Sequence, residues 1–160
     1  MFSKKSSILY NVIDISALKE KALKDENKYD YDVIFLGRLT YPKNPERLIN
    51  IFSILVKKMP EVKIAIVGTG ELETKVKILS KGYSLEGNID FLGFCENPLK
   101  ILQDSKVMVM TSRWEGTPMC ALEAQALGVP IVSTPTDGLK DLIEHGKTGF
   151  LSDDAETLAE

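Results

Sequence analysis

Two glutamates with seven residues between them, Glu115 and Glu123, lie in the chemically densest stretch of the chain, Thr111 to Ala124. Within it Thr117 can cap a helix whose first residue is Pro118, a position that tolerates proline because its missing N–H would be unpaired there anyway. Met119, Cys120 and Ala121 then keep amides that point out of the helix start, a setting suited to phosphate or sugar oxygens. A carboxylate accepts paired hydrogen bonds from vicinal hydroxyls such as those of a ribose or hexose. Each glutamate also has a plainer reading. Glu115 can be a carboxylate drawn to the positive end of a helix. Glu123 can be a solvated or salt-bridged helix position, although Ala121, Leu122, Ala124 and Ala126 around it make an unpartnered carboxylate costly. Trp114 and Met119 supply either an apolar wall or core.

Three other short segments have site chemistry. Gly37 allows a sharp turn, and Arg38 and Lys43 set two cations just before Asn44 and Pro45, a helix cap and a first helical residue. A planar guanidinium, a compact ammonium and a helix start together suit a diphosphate; a solvated loop with ordinary surface cations is the equal alternative. Gly68-Thr69-Gly70 opens another helix and lets a ligand approach the backbone, or serves turn geometry only. Gly93 and Phe94 can cradle a flat base edge, or Phe94 can pack. Neither a third glycine of the dinucleotide fingerprint nor a GxxxxGK[ST] run occurs, which disfavours dinucleotide binding and P-loop hydrolysis.

These segments share one placement: each comes directly after a short apolar run. The runs are Asp32–Leu36, Lys63–Val67, Ile89–Leu92, Val107–Met110, Ile131–Ser133 and Phe150–Leu151, with a further strand expected at Ser7–Tyr10. Helical patterns alternate with them at Ile15–Glu26, from Asn44 to about Met59, and at Gly70–Ser80, Pro98–Gln103, Pro118–Leu127 and Gly138–Glu144. The first should bury Ala17, Leu18, Ala22 and Leu23, and the second Leu48, Ile49, Phe52, Leu55 and Val56. Strands apolar on both faces, each leading into a helix, predict an α/β fold: a doubly wound parallel sheet, Rossmann-like, with ligands outside the carboxyl ends of its strands.

Length and composition narrow the rest. One hundred and sixty residues fit one domain and not two full α/β domains. With 20 basic and 23 acidic residues the net charge is −3, so the chain is a poor general binder of nucleic acid. The two cysteines, Cys95 and Cys120, form no CxxC pair, and a cytoplasmic setting is expected. No apolar run approaches the ~20 residues of a membrane span, and Met1–Lys5 leads into no apolar core of a signal peptide. Asp153–Glu160 reads as the start of a capped helix with little to pack against, so the chain is expected to be part of a longer one.

Taken in order, Gly37-Arg38 with Lys43, the Gly68-Thr69-Gly70 turn, and Glu115 and Glu123 within TSRWEGTPMCALEAQALGVPIVST, with DLIEHGKTGFL after them, closely resemble glycosyltransferase family 4 from about Ser7 to Glu160. Those enzymes are retaining glycosyltransferases of the GT-B fold. The resemblance implies that this chain is the C-terminal, donor-binding half of such an enzyme, with residues 1–31 as a linker strand and helix and 32–160 as the nucleotide-sugar-binding core. It implies that Arg38 and Lys43 hold the diphosphate of a UDP-sugar or related donor, and that Glu123 accepts from ribose hydroxyls. Glu115 would face the transferred hexosyl group and act by position and charge. Gly116, Thr117, Met119 and Cys120 would meet sugar or phosphate, Gly37, Gly68 and Gly70 would line the donor site, and Gly93 and Phe94 would lie near the base. Here Thr117-Pro118 replaces the more usual glycine and aromatic after Gly116, which takes one amide from that cradle. No metal or other cofactor is implied, the nucleotide-sugar being a substrate. The acceptor would be a glycan or lipid-linked oligosaccharide, as in capsule or lipopolysaccharide synthesis. An absent N-terminal domain would bind it and make any membrane contact, and the isolated chain would not transfer sugar.

Two other classes are weighed against this. A sugar-nucleotide 2-epimerase of the same fold needs a His and Asp/Arg cluster, whereas His145 is the single histidine. The other is a non-catalytic nucleotide-binding module, such as a receiver or ligand-sensing domain; a receiver needs an acidic cluster at the end of its first strand, whereas Asp30 and Asp32 stand before or at the start of theirs.

Overall fold

A computed structural model describes residues 11–160; the expected strand Ser7–Tyr10 lies outside the described residues. Six strands form one sheet: β1 Val33–Leu36, β2 Ile64–Val67, β3 Ile89–Gly93, β4 Val107–Met110, β5 Ile131–Ser133 and β6 Gly149–Leu151. Their order is β3-β2-β1-β4-β5-β6 and every pairing is parallel. The helices are α1 Ile15–Leu23, α2 Pro45–Lys58, α3 Glu73–Gly82, α4 Leu99–Asp104, α5 Met119–Leu127, α6 Asp137–Lys140 and α7 Ala155–Leu158.

Side chains of a strand point alternately to opposite faces, and here both faces are buried. Val33, Phe35, Ile64, Ile66 and Val109 pack with Leu48, Ile49 and Phe52 of α2 and Val76 of α3. Ile34, Ala65, Val67, Met108, Met110 and Ile131 pack on the other face with Ile101 and Leu102 of α4 and Ala121 and Ala124 of α5. This is why the central strands carry unbroken apolar runs. The edge strands do not: Leu92 on β3 and Phe150 on β6 are exposed.

The strand order reverses between β1 and β4, the switch point outside whose carboxyl ends ligands bind in such sheets. Several local expectations are corrected. In α1 only Leu18 and Ala22 are buried, against α4 and α5, while Ala17 and Leu23 face solvent because the helix touches the domain along a narrow line. In α2 the half-buried Leu55 and Val56 lie at the edge of the buried stripe. At the other end, α7 is one turn capped by Asp154, and it does find something to pack against: Leu158 and Ala159 are buried in the α2 face of the core.

Candidate functional site

The loop after β1 is held from both sides. Toward β2, the Gly37 amide donates to the Val67 carbonyl at 3.0 Å and the Leu39 amide to the Thr69 carbonyl at 2.9 Å. The approach is so close that a Cβ on Gly68, whose φ is +129°, would lie 2.0 Å from the Gly37 oxygen. One on Gly70 would lie 2.3 Å from the Leu39 oxygen. The contact that demands glycine at 68 and 70 is therefore the backbone of the neighbouring loop. Toward β4, buried Thr111 Oγ1 donates to the Lys43 and Asn44 carbonyls at 3.0 and 3.1 Å. The Arg113 amide donates to the Pro42 carbonyl at 2.8 Å.

Asn44 stands at the start of α2, in left-handed geometry at φ 51°, but its side chain makes no cap. Its Oδ1 instead accepts from Arg113 Nη2 at 2.9 Å. The guanidinium of Arg113 also lies over the Tyr41 ring, 4.4 Å from its centroid.

This scaffold brings the loops after β1 and β4 together. Lys43 Nζ is ion-paired with Glu115 Oε1, the two side chains being 19% and 12% exposed. The same oxygen accepts from Ser112 Oγ at 2.6 Å. Ser112 is itself fixed, its carbonyl accepting from Thr134 Oγ1 at 2.8 Å. Arg38 is exposed and makes no ion pair or side-chain hydrogen bond among the described residues.

The helix after Glu115 starts one residue later than the sequence implied. Pro118, with φ −73° and ψ 124°, occupies the cap position, and α5 begins at Met119. Thr117 makes no side-chain cap, because the extended backbone of Pro118 carries it one residue too far back. The Ala121 amide bonds to the Pro118 carbonyl at 3.1 Å, so the outward-pointing amides of the first turn are those of Met119 and Cys120 and not Ala121. Lys43, Glu115 and Glu123 all act electrostatically on the thiol of Cys120. Burial pushes that thiol up to about 11, with Lys43 opposing, so it stays a neutral wall of the site.

Glu123 is half-buried, and its carboxylate has neither a hydrogen bond nor an ion pair among the described residues. Burial raises its pKa, partly offset by Lys21. A desolvated acceptor with no protein donor is poised for ligand donors. Gly116 is exposed, and behind it Gly138 comes so close that a Cβ there would lie 1.4 Å from the Gly116 oxygen. The Gly138 amide donates to the Glu115 carbonyl at 3.3 Å.

Trp114 and Met119 are 56% and 45% exposed and thus surface, not core. Gly93 ends β3 at φ +68°, its carbonyl accepting from the Gly68 amide at 2.7 Å, and Phe94 beyond it is exposed. Sequence reasoning missed Tyr41, Thr111, Ser112, Arg113 and Gly138 as parts of this site; the three-residue spacing of Ser112 and Glu115 was the available signal. His145 lies apart on the β6 side, its Nδ1 accepting from the Leu151 amide at 3.2 Å. Asp32 pairs with Lys106 at 2.6 Å at the amino ends of β1 and β4, opposite the ligand edge. Neither supports the epimerase or receiver alternatives.

A family model described as "Glycosyl transferases group 1" matches residues 15–160. An uncharacterized glycosyltransferase of Methanocaldococcus jannaschii is 36% identical over 169 residues, covering 92% of this chain and 42% of the relative. A Campylobacter jejuni relative is 32% identical over 149 residues, 92% of this chain and 40% of its own; its name is N-acetylgalactosamine-N,N'-diacetylbacillosaminyl-diphospho-undecaprenol 4-alpha-N-acetylgalactosaminyltransferase. Among solved structures, an S. aureus TarM variant in complex with fondaparinux, alpha-GlcNAc-glycerol and UDP superposes with a TM-score of 0.78 at 28% identity. That match covers 84% of this chain and 28% of that one. The chain spans about two fifths of the length of the two relatives. The six-stranded Rossmann-like layer is that of one half of a GT-B glycosyltransferase.

Proposed function

Because the chain belongs to the glycosyl transferases group 1 family, we propose that it binds the nucleotide-sugar donor, a UDP-sugar, of a retaining hexosyltransferase of glycosyltransferase family 4. The observation that carries this reading is the convergence at the β1–β4 switch point. Lys43 and Glu115 touch there, while Arg38 and Glu123 stay unpaired among the described residues. Arg38 and Lys43 grip the diphosphate and offset the charge that builds on it as the glycosidic bond breaks. Glu123 accepts from the ribose hydroxyls. Glu115, released from Lys43, positions the sugar beside the Met119 and Cys120 amides. Two cations at the leaving group make a metal unnecessary in this scheme.

For the whole protein the reading is transfer of a hexosyl group to a glycan or lipid-linked acceptor at the cytoplasmic side of a membrane. The activity in the name of the C. jejuni relative supports a lipid-linked acceptor, and the UDP in the TarM complex supports the donor nucleotide. Among the described residues no helix is long and apolar enough to cross a membrane.

The test is calorimetric titration of the chain with UDP, GDP and ADP, each with and without EDTA. One UDP should bind per chain, more tightly than GDP or ADP and unaffected by EDTA. Absence of UDP binding would refute the donor reading, and binding lost on chelation would refute its metal-free form.

A further inference from the structure

Two large aromatic side chains stand open to solvent beside the Lys43–Glu115 pair. Tyr41 is 54% exposed and Trp114 56% exposed, with ring centroids 5.7 Å apart and planes tilted by 56°. They come from different loops, after β1 and after β4, and are held in place together. Arg113 Nε donates to the Tyr41 carbonyl at 3.3 Å, and its Nη2 to Asn44 Oδ1 at 2.9 Å. Its guanidinium rests 4.4 Å from the Tyr41 ring centroid. Exposed apolar surface that is fixed in advance is what a binding site needs and a folding core does not.

We propose that Tyr41 and Trp114 form a stacking corner for a pyranose ring of the acceptor. One face of a pyranose is a patch of C–H groups and lies well on the electron-rich face of an aromatic ring, while its hydroxyls turn outward to polar partners. Arg113, bonded to the Tyr41 carbonyl and to Asn44 Oδ1, backs the Tyr41 ring. The two rings, inclined at 56°, are not the parallel pair that would clamp the thin, flat plate of a nucleobase. The source is the acceptor because the corner uses neither of the side chains that meet at the switch point, Lys43 and Glu115, and so is left to the acceptor once the donor is seated. The proposal rests on the donor-site reading for that direction of approach, and it adds a binding surface that the donor reading does not use.

Trp114 is the single tryptophan of the chain, so its emission reports on this corner without background. The chain is titrated with the methyl pyranosides of glucose, galactose and N-acetylglucosamine, with and without UDP, and with sorbitol as an open-chain control. A saturable emission change with at least one pyranoside and none with sorbitol is expected. Tyr41→Leu keeps an apolar side chain but removes the ring, and should weaken the pyranoside roughly tenfold. Any loss of UDP affinity should be much the smaller of the two. Trp114→Ala, read by ligand-observed saturation-transfer NMR, should lose the pyranoside signal.

No saturable response, an equal response to sorbitol, or unchanged affinity in Tyr41→Leu would overturn the proposal. So would a response confined to uridine and UDP, or UDP-glucose affinity falling in Trp114→Ala while pyranoside binding persists. Failure of the donor reading is separate: calorimetry would then show no UDP binding while the pyranosides still titrate.

Discussion

Lys43 and Glu115, 72 positions apart, meet as an ion pair that ties the loop after β1 to the loop after β4. Ser112 donates to the same carboxylate oxygen. The ammonium proposed for the diphosphate is thus neutralised by a protein carboxylate. If Lys43 holds the diphosphate, donor phosphate competes with Glu115 for it, and its arrival frees Glu115 to turn toward the sugar. The pair makes these two side chains hold each other in place.

The two cations should each matter for the nucleotide. A charge-assisted hydrogen bond is worth about 1.5–3 kcal/mol, so Arg38→Ala or Lys43→Ala should weaken UDP roughly ten- to a hundredfold by calorimetry. Wild-type affinity in both would remove them from the diphosphate.

Glu123→Gln should weaken UDP, since a neutral amide accepts less strongly from ribose hydroxyls. The pH dependence has a definite sign. Burial raises the pKa of Glu123 in the folded chain above its unfolded value. The folded state therefore holds its proton more tightly, and stability is lost as pH rises above the usual carboxylate range. The Gln variant should melt slightly higher than wild type at pH 7, with the gap closing near pH 4. A variant that melts well below wild type at pH 7 with normal UDP affinity would show Glu123 to be structural.

Gly138→Ala should disturb the site from behind. A Cβ at 1.4 Å from the Gly116 oxygen must push one backbone away from the other. Overpacking of this kind costs about 1–3 kcal/mol, so the melting temperature should drop by several degrees. Because the displaced segment joins Glu115 to α5, the affinity for UDP-glucose should fall more than that for UDP. Equal losses for the two ligands would mean that Gly116 does not meet the sugar.

Much of this was legible in the sequence, for physical reasons. Central parallel strands are buried on both faces, so Val33–Leu36, Ile64–Val67 and Val107–Met110 announce themselves as unbroken apolar runs. The loops at the carboxyl ends of such strands face the ligand edge, which brought Arg38, Lys43, Glu115 and Glu123 into view. The sequence was less telling wherever a residue's partner is remote along the chain. Gly68 and Gly70 read as either ligand-facing or turn glycines, and a requirement for glycine there comes from the Gly37–Leu39 backbone. Asn44 read as a cap, and its side chain is taken by Arg113, 69 positions away. Thr117 read as a cap, and Pro118 holds that position. Gly138 carried no local signal, because only the folded loops bring it onto Gly116. The short α7 looked unsupported, since its partner, α2, lies about a hundred positions back along the chain.

The most direct measurement is a double-mutant cycle on UDP affinity over wild type, Lys43→Ala, Glu115→Gln and the double variant. If donor phosphate takes Lys43 from Glu115, then Glu115→Gln alone should bind UDP at least as tightly as wild type. The gain should be roughly two- to tenfold, the scale of a partly exposed ion pair. In the Lys43→Ala background the same change should add nothing, because there is no cation left to release. Turnover by the whole enzyme should fall in Glu115→Gln in spite of the tighter UDP. Weaker UDP binding in Glu115→Gln, with the same loss whether or not Lys43 is present, would show that the two side chains do not exchange partners and would contradict the assignment of Lys43 to the diphosphate.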